Sequence, residues 1–200
     1  MRADVDMLAG LLERNLFGVD KDLHAVRVAS FSLYLAMCDE IDPRDYWKDV
    51  RFPVLRGRRL VADDFFSEDY AEFGSAAAGS YDLVVGNPPW GKNTATDLAR
   101  DWAKKNEWPI SYGDFGPLFL AKALTLVRPN GRVALVQPAS TLLYNSTSAA
   151  LKLRSRVFAG FQVEEIVNLA ALRYVMFRDA IVPACAIVVR NAVSDEEPFW

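Results

Sequence analysis

The chain has 200 residues, enough for one domain with a sizeable core. A net charge of −3 excludes a global basic field, and one histidine with two distant cysteines gives no metal-site spacing. An apolar share of 52 % without a membrane-length run or leader pattern predicts a cytoplasmic globular protein with no membrane partner and no metal.

Residues 1–14 read as the end of a helix, with Leu8, Leu11 and Leu12 on one side. Leu16-Phe17-Gly18-Val19-Asp20 reads as a short buried strand ending in an acid. The next helix spans 22–38 with Asp22 as its cap, and its apolar side chains lie nearly all round, which predicts deep burial. His24 sits in this stretch and reads as structural, which argues against a Ser-His-Asp triad. Residues 41–58 are polar and irregular; a short strand at 59–62 then leads into Asp63-Asp64-Phe65-Phe66.

After a loop at 67–80, Tyr81 to Gly86 form a buried strand. It runs into Asn87-Pro88-Pro89-Trp90, and two consecutive prolines cannot continue a sheet. The tetrad is therefore a rigid turn carrying an amide, carbonyls and a large ring. Residues 91–113 read as a polar loop with Lys92, Arg100, Lys104 and Lys105 among Trp102, Trp108 and Tyr112. That mixture suits phosphate and base contacts, and equally a solvated loop.

A helix at 116–128 ends at the turn residues Pro129-Asn130-Gly131. A strand follows at 132–137, a turn at Pro138, a basic helix at 146–159, and strands at 162–169 and 181–190. Pro183 predicts a bulge or an unpaired edge near the start of the last strand. Cys38 and Cys185 read as small buried hydrophobes. The order of elements is α/β, predicting a mostly parallel sheet covered on both faces, with the last two strands antiparallel. Asp20, Asp63 and Asn87 each end a strand, where ligands of such sheets bind.

Taken in order, these segments resemble the adenine-N6 DNA methyltransferases of the type I and type IIG restriction-modification branch. The resemblance runs through Phe17 to Asp20, Asp63 to Phe66, Leu83 to Gly91, the 118–143 block and Phe177 to Val189. It implies a Rossmann-like S-adenosylmethionine-dependent fold, and a methyl transfer from that cofactor to the amino group of an adenine flipped out of DNA. It assigns Asn87, Pro88, Pro89 and Trp90 to catalysis. It assigns Asp20 to the cofactor's ribose, Asp63 to its adenine amino group, and Phe65 or Phe66 to packing on that adenine, with Asn87 bordering the cofactor. Gln137-Pro138-Ala139-Ser140 would line the base pocket. The partners implied are DNA and a specificity subunit or recognition region.

The tetrad chemistry follows from the acceptor itself. An adenine amino nitrogen shares its lone pair with the ring and is a poor nucleophile. The Asn87 side-chain oxygen and the Pro88 carbonyl can accept hydrogen bonds from its two N–H groups and leave it more electron-rich. Trp90 offers a face for stacking.

The chain departs from the family in one respect. The Gly-rich cofactor loop expected before the Asp20 strand is not found, since residues 1–14 contain only Gly10. Gly113-Asp114-Phe115-Gly116 follows no strand and does not replace it. The expectation is a partial catalytic domain over 1–200, lacking the strand normally central to the sheet. Residues 1–14 would be the remnant of its first helix, and cofactor binding by the isolated chain would be weak or absent. Two other readings stay open: a glutamine-N5 protein or RNA methyltransferase of the same fold, and a non-catalytic interaction module.

Overall fold

The computed structural model describes residues 4–44, 46, 50–91, 96–110, 114–172, 175 and 182–193. They form two compact units, Met1–Ser67 and Glu68–Trp200.

The first unit contains α1 (Val5–Arg14), β1 (Gly18–Asp20), α2 (Leu23–Asp39) and β2 (Leu60–Ala62). β1 and β2 pair in parallel, with Gly18 opposite Leu60 and Asp20 opposite Ala62. Arg59 secures the approach to β1: its Nε donates to the Leu16 carbonyl at 2.8 Å and its guanidinium lies over the Phe17 ring. Val26, Leu55 and Leu60 form the core, with Leu12, Leu16, Leu33 and Tyr34 packed around it. The deep burial expected for the second helix is not found. Val26, Ser30 and Met37 are buried, whereas Val28 and Phe31 are 64 % and 61 % exposed. Two three-residue strands offer a narrow surface, which covers one stripe of α2 and leaves the rest uncovered.

The second unit contains β3 (Tyr81–Gly86), α3 (Asp97–Lys105), α4 (Gly116–Leu126), β4 (Val127–Pro138), α5 (Ser148–Gly160), β5 (Gln162–Asn168) and β6 (Ala184–Arg190). Its sheet runs β3-β4-β6-β5. β3 and β4 are parallel, and β6 is antiparallel to both β4 and β5. The final strands are thus antiparallel as expected, and β6 is inserted between β4 and β5. Pro183 lies just before β6, where its missing N–H costs no ladder bond.

The expected turn at Pro129-Asn130-Gly131 is a bulge within β4. Asn130 takes φ of 64°, and the register with β3 shifts between Tyr81 and Leu83. Gly131 is required there, because a Cβ would lie 2.9 Å from the Arg128 carbonyl oxygen and 3.0 Å from that of Tyr81. The helix α4 starts at a Gly-Pro pair and buries Leu118, Leu120 and Leu124; the sheet contributes Val133, Leu135, Ile187 and Val189 to the core. Glu164 joins the strands by accepting from Arg132 Nε at 2.8 Å and Arg190 Nε at 2.6 Å. The Arg132 hydrogen bond holds its carboxyl below the ordinary value. β3 forms one edge of the sheet, where Leu83 and Val85 are exposed.

The polar loop expected over 91–113 contains the helix α3. Thr96 caps it by accepting from the Ala99 N–H at 3.2 Å, and Ala99, Trp102 and Ala103 form its buried face. Among the described residues, no helix is long and apolar enough to cross a membrane.

Candidate active site

The tetrad begins where β3 ends. Gly86 pairs with Leu135, so the turn emerges beside the last residues of β4, and Gln137 to Ser140 follow from the neighbouring strand. Pro88 and Pro89 carry no N–H, so their carbonyls are the only backbone hydrogen-bonding groups in the middle of the turn. Asn87 is exposed, and its side-chain amide makes no hydrogen bond among the described residues. Trp90 is half-buried, and its indole N–H donates to the Val136 carbonyl at 3.2 Å. That bond ties the ring to β4 and fixes its orientation.

Gly91 follows with φ of 95°, a left-handed conformation that favours glycine. Its N–H donates to Asp114 Oδ1 at 3.4 Å. The same carboxylate accepts from the Gly116 N–H at 3.1 Å and, through Oδ2, from the Thr141 hydroxyl at 3.1 Å. Thr141 lies in a π-helical turn, Ser140–Tyr144, directly after β4 and is buried. Neither Asp114 nor Thr141 stands out in the sequence reading, which treats 113–116 only as a misplaced glycine pair. The available signal is an aspartate two residues before a Gly-Pro helix start, a position suited to capping.

Gln137 is fully buried, and neither its side-chain oxygen nor its nitrogen has a partner among the described residues. Its register partner is Cys185, also fully buried, whose thiol is pushed up to about 11 by burial. Cys185 is therefore a neutral core side chain.

The basic and aromatic residues after the tetrad separate. Trp102 and Trp108 are each 8 % exposed and serve the core. Arg156 covers Trp108, with its guanidinium 4.0 Å from the ring centroid, and donates to the Glu107 carbonyl at 2.9 Å. Arg100 lies over the Phe115 ring. Of the two readings of this mixture, base stacking gains no support from Trp102, on the buried face of α3, or from Trp108, buried just beyond that helix. Lys104 and Lys105 form the last turn of α3, while Lys92, Tyr112 and Phe177 lie outside the described residues.

Three of the sequence-derived site residues belong to the first unit. Asp20 and Asp63 are adjacent there, since the Asp63 N–H donates to the Asp20 carbonyl at 3.0 Å. Asp20 is exposed; its Oδ1 accepts from the Asp22 N–H at 2.8 Å and its Oδ2 has no partner among the described residues. Asp22, not Asp20, caps α2 by accepting from the His24 N–H. Asp63 Oδ1 accepts from Asp64, and Asp64 Oδ1 accepts from Phe66, so this pair of acids shapes the turn. Asp64 also faces Lys21 at 3.8 Å. Phe66 is buried, whereas Phe65 is half-buried and edge-on to it at 5.7 Å.

Comparisons with known proteins agree with this architecture. No curated protein matches the chain by sequence. Among solved structures, the M protein of the type I restriction enzyme EcoKI aligns with a TM-score of 0.63 at 16 % identity, over 94 % of this chain and 33 % of that one. The type IIG restriction endonuclease BpuSI aligns with a TM-score of 0.58 at 16 % identity, over 98 % of this chain and 26 % of that one. A modification subunit of a putative type I restriction enzyme from Vibrio vulnificus YJ016 gives 0.56 at 14 % identity, over 94 % and 35 % of the two chains. The chain thus has a methyltransferase fold and spans about a third or less of these proteins' length. The family model for the Eco57I restriction-modification methylase matches residues 14–175. With that match over most of its length, the chain belongs to the Eco57I restriction-modification methylase family.

Proposed function

We propose that the chain carries the amino-group-binding site of an S-adenosylmethionine-dependent DNA methyltransferase acting on the N6 position of adenine in a restriction-modification system. The observation that supports this best is the Asn87–Trp90 turn. It presents an exposed amide with no competing partner among the described residues, beside a ring whose orientation is fixed by its bond to Val136.

In this reading Asn87 Oδ1 and the Pro88 carbonyl accept the two amino N–H bonds of a flipped adenine. Trp90 stacks on the base, and stacking with hydrogen bonding offsets the few kcal/mol that flipping costs. Holding the nitrogen by both protons directs its electron density along one line of approach, so orientation supplies much of the acceleration. After transfer the nitrogen carries one proton too many. That proton is acidic and passes to water, so no strong base is required.

The residues of the first unit fit the cofactor in kind. Asp20 has an exposed carboxylate whose Oδ2 is unengaged among the described residues, suited to ribose hydroxyls, and Asp63 lies beside it to accept from an adenine amino group. Phe65, the more exposed of the two rings, is the one assigned to pack on that adenine, because Phe66 is buried. Bound there, the cofactor supplies a methyl group on positively charged sulfur. DNA would be the macromolecular partner, with a recognition region or specificity subunit supplying sequence choice and the cytoplasm as the place of action.

The test is methyl transfer by the product of the whole reading frame encoding this chain, using tritiated S-adenosylmethionine with DNA, RNA and a protein glutamine substrate in parallel. Label in DNA supports the proposal. Label in RNA or protein, with none in DNA, replaces it with one of the other two substrates.

A further inference from the structure

We infer that Asp114 is a positioning residue that clamps the tetrad turn to the frame around it; its catalytic consequence rests on the function proposed above. The Asn87 side chain makes no hydrogen bond among the described residues, so its place is set by the turn that carries it. One anchor is the Trp90 indole bond to β4. The Asp114 carboxylate provides another by gathering donors from three separate elements. These are Gly91 at the exit of the turn (3.4 Å), Gly116 in the first turn of α4 (3.1 Å) and the Thr141 hydroxyl after β4 (3.1 Å).

The surroundings are built to hold this carboxylate. Gly91 adopts φ of 95°, a left-handed turn of the chain at the residue whose N–H donates to Asp114. Thr141 is 2 % exposed, and its carbonyl accepts from Arg154 Nη1 of α5 at 3.4 Å, so the hydroxyl is carried by a fixed backbone. A cap for α4 alone would need only the Gly116 bond. The bonds to Gly91 and Thr141 connect the exit of the tetrad to both flanking elements. Losing this connection frees the turn, and an ångström of freedom at an acceptor can cost on the order of 100-fold in rate.

The test uses nitrogen-15 NMR of the full 200-residue chain, with the Trp90 indole resonance assigned by its loss in Trp90→Phe. Asp114→Ala is expected to speed Trp90 indole exchange by about tenfold relative to core amides such as Val133. Asp114→Asn is expected to restore slow exchange, since its oxygen still accepts from both glycines and its nitrogen can donate to Thr141. If Asp114→Ala prevents folding, Thr141→Val removes one bond with little change of shape and should give a smaller increase of about threefold. Fast exchange confined to the first-turn amides of α4, with Trp90 unchanged, would make Asp114 a helix cap and overturn the inference. Trp90 exchange is read without cofactor or DNA. A protein that shows it but methylates no DNA therefore keeps the clamp and loses the proposed function.

Discussion

Asn87 is the position where stability and function separate most cleanly. Its side chain is exposed and makes no hydrogen bond among the described residues, so Asn87→Ala is expected to change unfolding free energy by no more than about 0.5 kcal/mol in urea titration. The same change removes an acceptor from the proposed amino-group site and is expected to lower kcat by about 100-fold or more, measured as single-turnover methyl transfer. Gln137 behaves oppositely. Its amide is buried without partners among the described residues, so Gln137→Met is expected to stabilise the fold by about 1 kcal/mol in the same titration. A loss of stability would show that an internal water or ligand group satisfies the amide. Asn87 was legible because a strand followed by Asn-Pro-Pro-Trp is chemically unusual. Asp114 was not, because its meaning depends on Gly91 and Thr141, which meet it only after folding.

At the scale of elements, the strands were legible where apolar runs ended in turn chemistry, as at Gly86 and Gln137. The helix α3 reads as a loop in the sequence because its residues are mostly charged. Its signals were present: Thr96 as cap, Asp97 in the first turn, Lys104 and Lys105 in the last, and Ala99, Trp102 and Ala103 at helical spacing. Thr96→Ala is expected to destabilise the second unit by about 1 kcal/mol, seen as a lower denaturation midpoint. In α2 the mismatch is opposite: apolar composition on every face predicts deep burial, yet the amount buried depends on the surface available, and β1 with β2 covers only one stripe. The core of the second unit also predicts a pH effect. Burial raises the Cys185 thiol from 9.0 to about 11, so the folded state retains a proton that the unfolded chain releases earlier. The associated stability is fully present below about 9 and is lost as pH rises towards about 11. Urea titrations at pH 8 and pH 10.5 should show a larger fall for the wild-type chain than for Cys185→Ala. Equal falls would show that the thiol does not contribute.

At the scale of the whole molecule, the residues ascribed to the cofactor and those ascribed to the amino group belong to different units. Asp20, Asp63 and Phe65 lie in Met1–Ser67, and the tetrad with Asp114 and Thr141 lies in Glu68–Trp200. The α/β class and the antiparallel ending were readable from element order, and the match over residues 14–175 assigns the family. The division of strands between two sheets was not readable, because pairing is a long-range property that no local pattern encodes. The proposed role of the amide after β3 is to hold an adenine amino group during methylation. Expression of the whole reading frame in a host without adenine methylation, followed by digestion of its DNA and mass spectrometry, tests this directly. N6-methyladenine is expected with the wild-type sequence and is expected to disappear with Asn87→Ala at equal protein level. Undiminished N6-methyladenine in the Asn87→Ala strain would contradict the claim.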